Sequence, residues 1–216
     1  MDFVATHNGF FMSDPGAKRT DAEARRQQIV DAASACARRS GFHGASMSEI
    51  AHAAGLSVGQ INRYFENKEA IIAAIVARDM AEMRDRYSEL KDGDLPVREA
   101  ILTKCANAVD ELYDTERAVL TLEVLAEAAR NPNVATILQA SDAEEREMQQ
   151  ELLRDVIPAG CDEAERLARG EVVSMLFEGM TMRGVNNPKG DRAAIARVLR
   201  SALRHLLSEP CDDRAA

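Results

Sequence analysis

The sequence predicts an all-α protein. Hydrophobic residues make up 46% of the 216 residues, aromatic residues only 4%, and tryptophan is absent. No run of β-branched residues alternates with polar ones as a half-buried strand would, and the few prolines stand between apolar segments. This length allows one or two domains with a sizeable core. Because no apolar run could span a bilayer and the N-terminus lacks a secretory signal pattern, we expect a cytoplasmic protein.

The first helix follows a polar N-terminal segment. Residues 1–19 contain Pro15-Gly16 and are expected to form a flexible tail. Thr20 and Glu23 have the spacing of a capping box, which predicts a helix start. The apolar face of this helix consists of Ile29, Val30, Ala33, Cys36 and Ala37, and Gly41 is expected to end it.

Two short helices joined by a tight turn follow between residues 46 and 64. Ser46 and Glu49 form one possible capping box, and Ser57 and Gln60 form a second. Gly55 between them suits the positive φ that ends a helix. Two short helices turning at a glycine, with polar side chains on the second, are typical of the helix-turn-helix that reads the DNA major groove.

The same segment resembles a known family. The shared features are Gly41-Phe42, Ser46, Ile50-Ala51, Ala53 to Ser57, Tyr64-Phe65 and Lys68-Glu69. They are similar, in order and without gaps, to the signature of the TetR family of bacterial transcriptional regulators. The resemblance covers about the first third of the chain. It implies an N-terminal three-helix DNA-binding domain over residues 20–66 and a helical ligand-binding and dimerisation domain over residues 67–210, with about nine helices and a short tail at 211–216.

The candidate recognition helix extends from Val58 to Tyr64. With 100° per residue and Ile61 inward, the residues that face outward are Gly59, Gln60, Asn62 and Arg63. Asn and Gln can bind adenine through two hydrogen bonds, Arg can bind guanine in the same way, and Val58 could touch a thymine methyl. Capping alone is the alternative role for Gln60, and solvation is the alternative for the other polar side chains.

Other residues are candidates for DNA-backbone contacts. The Tyr64 hydroxyl, the hydroxyls of Ser46 and Ser57, and the Lys68 ammonium could each reach a phosphate. The resemblance implies this role for Lys68 in particular. The chain departs from the family at Asn62, where Tyr is frequent, and at Val58, where a basic residue is frequent. We therefore expect an unusual operator sequence.

Six further helices are predicted after residue 66. Their approximate ranges are 67–90, 96–113, 116–130, 134–156, 162–185 and 191–207, with breaks at Gly93, Asp114-Thr115, Pro132, Pro158 and Pro188. Residues 1–70 carry eight Lys or Arg and eight Asp or Glu, so the whole net charge of −9 lies in the rest of the chain. An acidic body is repelled by phosphates, and only the neutral head is expected to dock on DNA.

The last two helices are candidates for a two-fold interface, as the resemblance implies. The apolar residues assigned to this interface are Val172, Val173, Leu176, Met180, Ile195, Val198, Leu199, Ala202 and Leu206. An intramolecular core is the alternative. Candidate ligand-binding residues in the body are Cys105, Val109, Leu122, Glu123, Met175, Phe177, Met182 and Arg183. Core packing is the alternative for the methionines.

The sequence argues against other function classes. It contains no nucleophile–base pair or phosphate-binding loop, and its four cysteines and four histidines lack metal-ligand spacing, so neither an enzyme nor a cofactor or metal site is expected. The segments EVLAEAARNPNVATIL and LFEGMTMRGV resemble the family branch that includes choline-responsive regulators, but few aromatics are available to enclose a quaternary ammonium. We expect a dimeric repressor released from a palindromic operator by a small molecule. The alternative is a dimeric helical module that acts without sequence-specific DNA binding.

Overall fold

The computed structural model describes residues 15–154, 156–158 and 160–210. The described residues form nine α-helices: α1 (Pro15–Gly44), α2 (Met47–Ala53), α3 (Val58–Ile61), α4 (Lys68–Asp92), α5 (Val97–Leu112), α6 (Thr115–Ala128), α7 (Pro132–Leu153), α8 (Glu163–Asn186) and α9 (Arg192–Ser208). The all-α prediction is confirmed. Helices α2 to α9 begin and end within three residues of their predicted positions.

The start of α1 differs from the prediction. The helix begins at Pro15, so Thr20 lies inside it and does not cap it. A proline is well suited to a first helical turn, because the amide hydrogen it lacks would have no partner there. Gly41 breaks the helical backbone with φ 70°, as expected of the residue that ends the straight part of α1. The prediction of a tail over residues 1–19 is therefore wrong for residues 15–19, which belong to α1, while residues 1–14 and the predicted tail at 211–216 lie outside the described residues.

One apolar core joins the N-terminal head, helices α1 to α3, to the body, helices α4 to α9. Ile29 of α1, Ile50 of α2, Ile61 of α3 and Ile71 of α4 are fully buried together. The same cluster includes three residues of the body helices α6 and α7, which are Leu120, Val124 and Val134. Helix α4 is therefore the covalent connection between the two parts, while α1 against α6 provides a second, packed connection.

Two further apolar clusters hold the body. The larger contains Cys105 and Val109 of α5 and Tyr113, the residue that follows α5, together with Leu199 and Leu203 of α9. The smaller lies around Leu153 and Leu207. Arg169 of α8, which is buried, donates hydrogen bonds to two carbonyl oxygens at the C-terminal end of α9. These contacts fix α5, α8 and α9 relative to one another.

The cysteines of the described chain are in two states. Cys36 and Cys105 are free and buried, whereas Cys161 is disulfide-bonded. None of the described helices is long and apolar enough to cross a membrane.

Candidate DNA-reading surface and ligand cavity

Both predicted capping boxes are present in α2 and α3. The Ser46 hydroxyl accepts a hydrogen bond from the Glu49 amide at 3.2 Å, and the Glu49 carboxylate accepts one from the Ser46 amide at 2.8 Å. Ser57 and Gln60 repeat the same pair of bonds at 3.2 and 2.8 Å. The hydrogen bonds from Ser46 hold the pKa of Glu49 below its usual value. These local bonds set where each short helix starts and hence where α3 points.

Helix α3 exposes the residues that the sequence assigns to DNA reading. Ile61 is fully buried, whereas Val58, Gly59, Gln60, Asn62 and Arg63 are exposed. The helix ends at Ile61 and not at the predicted Tyr64, and residues 62–64 continue as a turn. Gln60 uses its side-chain oxygen for capping, which leaves its amide hydrogens for other partners. Base contacts by these side chains stay a prediction.

Arg26 of α1 fixes the end of this reading segment, a role that the sequence pattern did not indicate. Its guanidinium donates to the Tyr64 carbonyl at 2.8 Å and lies 4.4 Å from the centre of the Phe65 ring. Phe65 is buried, and Tyr64 packs against the head core as a half-buried residue. A basic residue on an exposed helix turn has no local signature that would have revealed a partner 38 residues away.

Lys68, the predicted phosphate contact, has a partner within the chain. Its ammonium nitrogen lies 2.6 Å from the carbonyl oxygen of Phe42. The same residue is the first of α4, and the preceding Asn67 caps that helix through a 2.8 Å bond to the Ala70 amide. An ammonium group has three hydrogens, so two remain for other acceptors such as a phosphate.

The body contains a cavity of about 300 Å³ between α4, α5, α7 and α8, with α9 at its base. Cys105 and Phe177 line it, as predicted. Among the apolar wall residues that the sequence did not indicate are Leu90, Ile101, Leu152, Leu203 and Leu207. This volume is at the lower end of the range found for small-molecule sites.

Six of the predicted ligand-binding residues lie elsewhere. Val109 is buried in the core beside α9, and Leu122 and Glu123 are half-buried on α6. The Glu123 carboxylate faces the head, since a methyl group on Gly41 would lie 2.8 Å from one of its oxygens. Met175, Met182 and Arg183 are exposed. Their assignment to the cavity is therefore corrected.

Charged residues also line the cavity, and most of them are paired. The pairs are Lys104 with Glu89 at 2.6 Å, Arg86 with Glu111 at 3.3 Å, and Arg146 with Asp142. Glu145 and Glu178 line it without an ion pair among the described residues. Burial raises the pKa of Glu145, and the nearby carboxylates of Asp142 and Glu178 raise it further. Glu178 is an exposed residue at the edge of the cavity, and partial burial, with the nearby carboxylates of Asp142 and Glu171, raises its pKa.

Tyr87 is a further cavity residue that the sequence pattern did not indicate. It lines the cavity beside Arg86, and burial raises the pKa of its hydroxyl. In the sequence it lies in a highly charged half of α4 that is typical of a solvated face. Tyr87 and Phe177 together give the cavity two aromatic walls despite the scarcity of aromatic residues.

Most of the residues on α8 and α9 that the sequence assigned to a dimer interface pack inside the chain. Met180 and Leu199, assigned to a two-fold interface, are buried within the chain, and Val173, Leu176 and Ile195 pack half-buried on the same cluster. Ala202 and Leu206 are half-buried, and only Val172 and Val198 of the assigned residues are exposed. The outward face of α8 and α9, defined here as the outer apolar face, consists of Leu167, Val172, Met175, Met182, Val185 and Val198.

Two family profiles match the chain. The profile described as "Bacterial regulatory proteins, tetR family" matches residues 29–75, which span most of α1 and the first turns of α4. The profile described as "BetI-type transcriptional repressor, C-terminal" matches residues 98–208, which is the body from α5 to α9. The two matches divide the chain as its head and body do.

Individual proteins are similar along most of their length. The HTH-type transcriptional regulator UidR of Escherichia coli strain K12 is 30% identical over 142 residues, which cover 66% of this chain and 71% of UidR. The regulator BetI of Vibrio atlanticus is 27% identical over 177 residues, which cover 81% of this chain and 87% of BetI. Salmonella enterica GusR superposes with a TM-score of 0.69 at 25% identity, covering 85% of this chain and 95% of GusR. Bacillus subtilis FadR in complex with stearoyl-CoA shares the fold, with a TM-score of 0.70 at 23% identity, and the match covers 84% of this chain and 97% of FadR.

Proposed function

Because this chain belongs to the TetR family of bacterial regulatory proteins, we propose that it represses transcription as a homodimer bound to a palindromic operator, and that a small molecule in the cavity releases it. It is a helix-turn-helix transcriptional regulator. It acts in the cytoplasm by binding, without a cofactor or a catalytic step.

The observation that carries this proposal is the exposed polar face of α3. Both short helices are capped by their own side chains, so the reading segment is rigid before DNA arrives. Asn62 and Arg63 extend from it without an intramolecular side-chain partner among the described residues, and Gly59 lets the backbone approach the groove. Lys68, the first residue of α4, supplies a phosphate contact through its ammonium group.

The outer apolar face supports the dimer. Six large apolar side chains on α8 and α9 are exposed in the single chain, and Val198 is 71% exposed. Around Val198 lie Ala194 and Ala202, whose small side chains allow another helix to approach closely. A self-complementary patch of this kind suits a two-fold axis, which places two copies of α3 on adjacent half-sites.

Release by a ligand follows from how the head joins the body. The cavity is lined by the second half of α4, whose first turns pack in the head, and by α7, whose first turn packs in the shared core through Val134. Ligand binding that shifts α4 or the α6–α7 turn changes the separation of the two reading helices. Adjacent major grooves are about 34 Å apart, so a change of a few ångströms prevents both helices from docking together.

A gel-shift titration with the promoter DNA next to the chain's own gene tests the proposal. We expect a salt-dependent complex with a palindrome that survives excess random duplex. A double variant, Asn62→Ala with Arg63→Ala, should lose the preference for the palindrome. Binding that is equal for palindrome and random DNA, or absent at low salt, would favour the alternative of a helical module that works through protein partners.

A further inference from the structure

The cavity offers hydrogen-bond acceptors and negative charge, and the inference drawn from this rests on the proposed ligand-controlled function. Its cationic side chains, Arg86, Lys104 and Arg146, each have a carboxylate partner. Glu145 and Glu178 line the same space with no cation paired to them among the described residues. The local balance is therefore negative.

Gln149 adds an uncharged acceptor to these carboxylates. It is 8% exposed and lines the cavity. Its amide nitrogen donates to the Ser174 hydroxyl at 3.0 Å, which fixes the amide orientation. Its side-chain oxygen is an acceptor, so a ligand that brings N–H groups has a further hydrogen-bond partner at this wall.

We propose that the cavity takes a protonated primary or secondary amine with an apolar body, whose ammonium group lies beside the carboxylates of Glu145 and Glu178. The leucine and isoleucine walls hold the apolar body, and the rings of Tyr87 and Phe177 tolerate a neighbouring cation. A carboxylate ligand would meet two like charges. A quaternary ammonium has no N–H donor, so it cannot satisfy the acceptors that this cavity supplies.

Four molecules with one apolar body separate these possibilities: 4-phenylbutylamine, its N,N,N-trimethyl derivative, 4-phenylbutanol and 5-phenylpentanoate. Calorimetric titration of each into the full-length protein at neutral pH measures the preference. We expect the amine to bind at least about tenfold more tightly than the alcohol and the trimethyl derivative, and the carboxylate to bind weakest.

Two variants test whether Glu145 and Glu178 cause the tighter binding of the amine. The double change Glu145→Gln with Glu178→Gln keeps the side-chain size and removes both charges, so the amine should fall to within about threefold of the alcohol. Glu147→Gln is the matched control, since Glu147 is an exposed residue on the same helix and does not line the cavity. Its preference should equal that of the unaltered protein.

Three results would overturn the inference: equal binding of amine and alcohol, tighter binding of the carboxylate or the trimethyl derivative, or no binding of the amine up to its solubility limit. Gel shifts in the presence of each compound keep this result apart from the proposed function. Release from the operator by the alcohol or carboxylate alone would support ligand control and contradict the amine. Selective amine binding that leaves the operator complex unchanged would support the site and contradict ligand-controlled release.

Discussion

Lys68 donates a hydrogen bond from its ammonium nitrogen to the Phe42 carbonyl oxygen at 2.6 Å, and so joins the first residue of α4 to the last turn of α1, which follows the kink at Gly41. The residue proposed to hold a phosphate is therefore also part of the head's structure. A phosphate contact and an internal bond can coexist on one ammonium group, but a substitution removes both.

Lys68→Ala should weaken binding to all DNA sequences alike and make the salt dependence shallower by about one counterion. It should also lower the free energy of unfolding by about 1 kcal/mol through the lost hydrogen bond. Fluorescence anisotropy over a salt series and denaturant unfolding measure the two effects. Lys91→Ala, at the exposed far end of α4, is the control and should leave the salt slope unchanged. A change in sequence preference with an unchanged slope would contradict the phosphate role.

Asn62→Ala should relax base preference at one operator position and cost about 1–3 kcal/mol of specific binding. The side chain is exposed at the C-terminal end of α3, so stability should hardly change. Binding to a panel of single-base operator variants checks this. Gln139→Ala, an exposed amide on α7, provides the control. If every operator variant kept its affinity, Asn62 would not be a base reader.

Val198→Glu should disrupt the proposed dimer, because each copy would place a charge against apolar neighbours near the two-fold axis. Multi-angle light scattering should show a monomer with an unchanged helical circular dichroism spectrum. Thr136→Glu, which adds the same charge at an exposed position of α7, should remain dimeric. A Val198→Glu protein that is still dimeric at low micromolar concentration would move the interface elsewhere.

Leu199→Ala should lower folding stability, in contrast to the effect of Val198→Glu on dimerisation. Leu199 is 6% exposed and packs in the body core, so the change should lower the free energy of unfolding by about 2–5 kcal/mol. Thermal denaturation measures the loss. A melting temperature equal to that of the unaltered protein would contradict the placement of this side chain in the body core.

Glu145→Gln should raise the melting temperature at pH 7 in the absence of ligand. Burial raises the pKa of Glu145 above its usual 4.5, so the folded state binds this proton more tightly than the unfolded state. The stability from this group is complete below pH 4.5 and is lost as the pH rises through the folded-state pKa. The difference between variant and unaltered protein should therefore shrink as the pH falls toward 4.5. A difference that is constant with pH would contradict a buried carboxylate.

These predictions divide between what the sequence determined and what only the tertiary structure decided. The helix-turn-helix was predictable residue by residue, since Ser46, Glu49, Ser57 and Gln60 bond to partners three residues away. Capping and the positive φ of Gly55 depend on local backbone geometry alone, and a short stretch of sequence contains all of it.

The faces of α8 and the lining of the cavity depended on tertiary packing. Helix α8 has apolar residues on the inward side, such as Met180, and on the outward side, such as Met175, so its periodicity does not distinguish the chain's own core from a surface for a second copy. Glu145 and Tyr87 occur in charged segments typical of solvated faces, and they line a cavity only because α4 and α7 pack side by side. A side chain's burial depends on which other helix covers it, and that helix is distant in sequence.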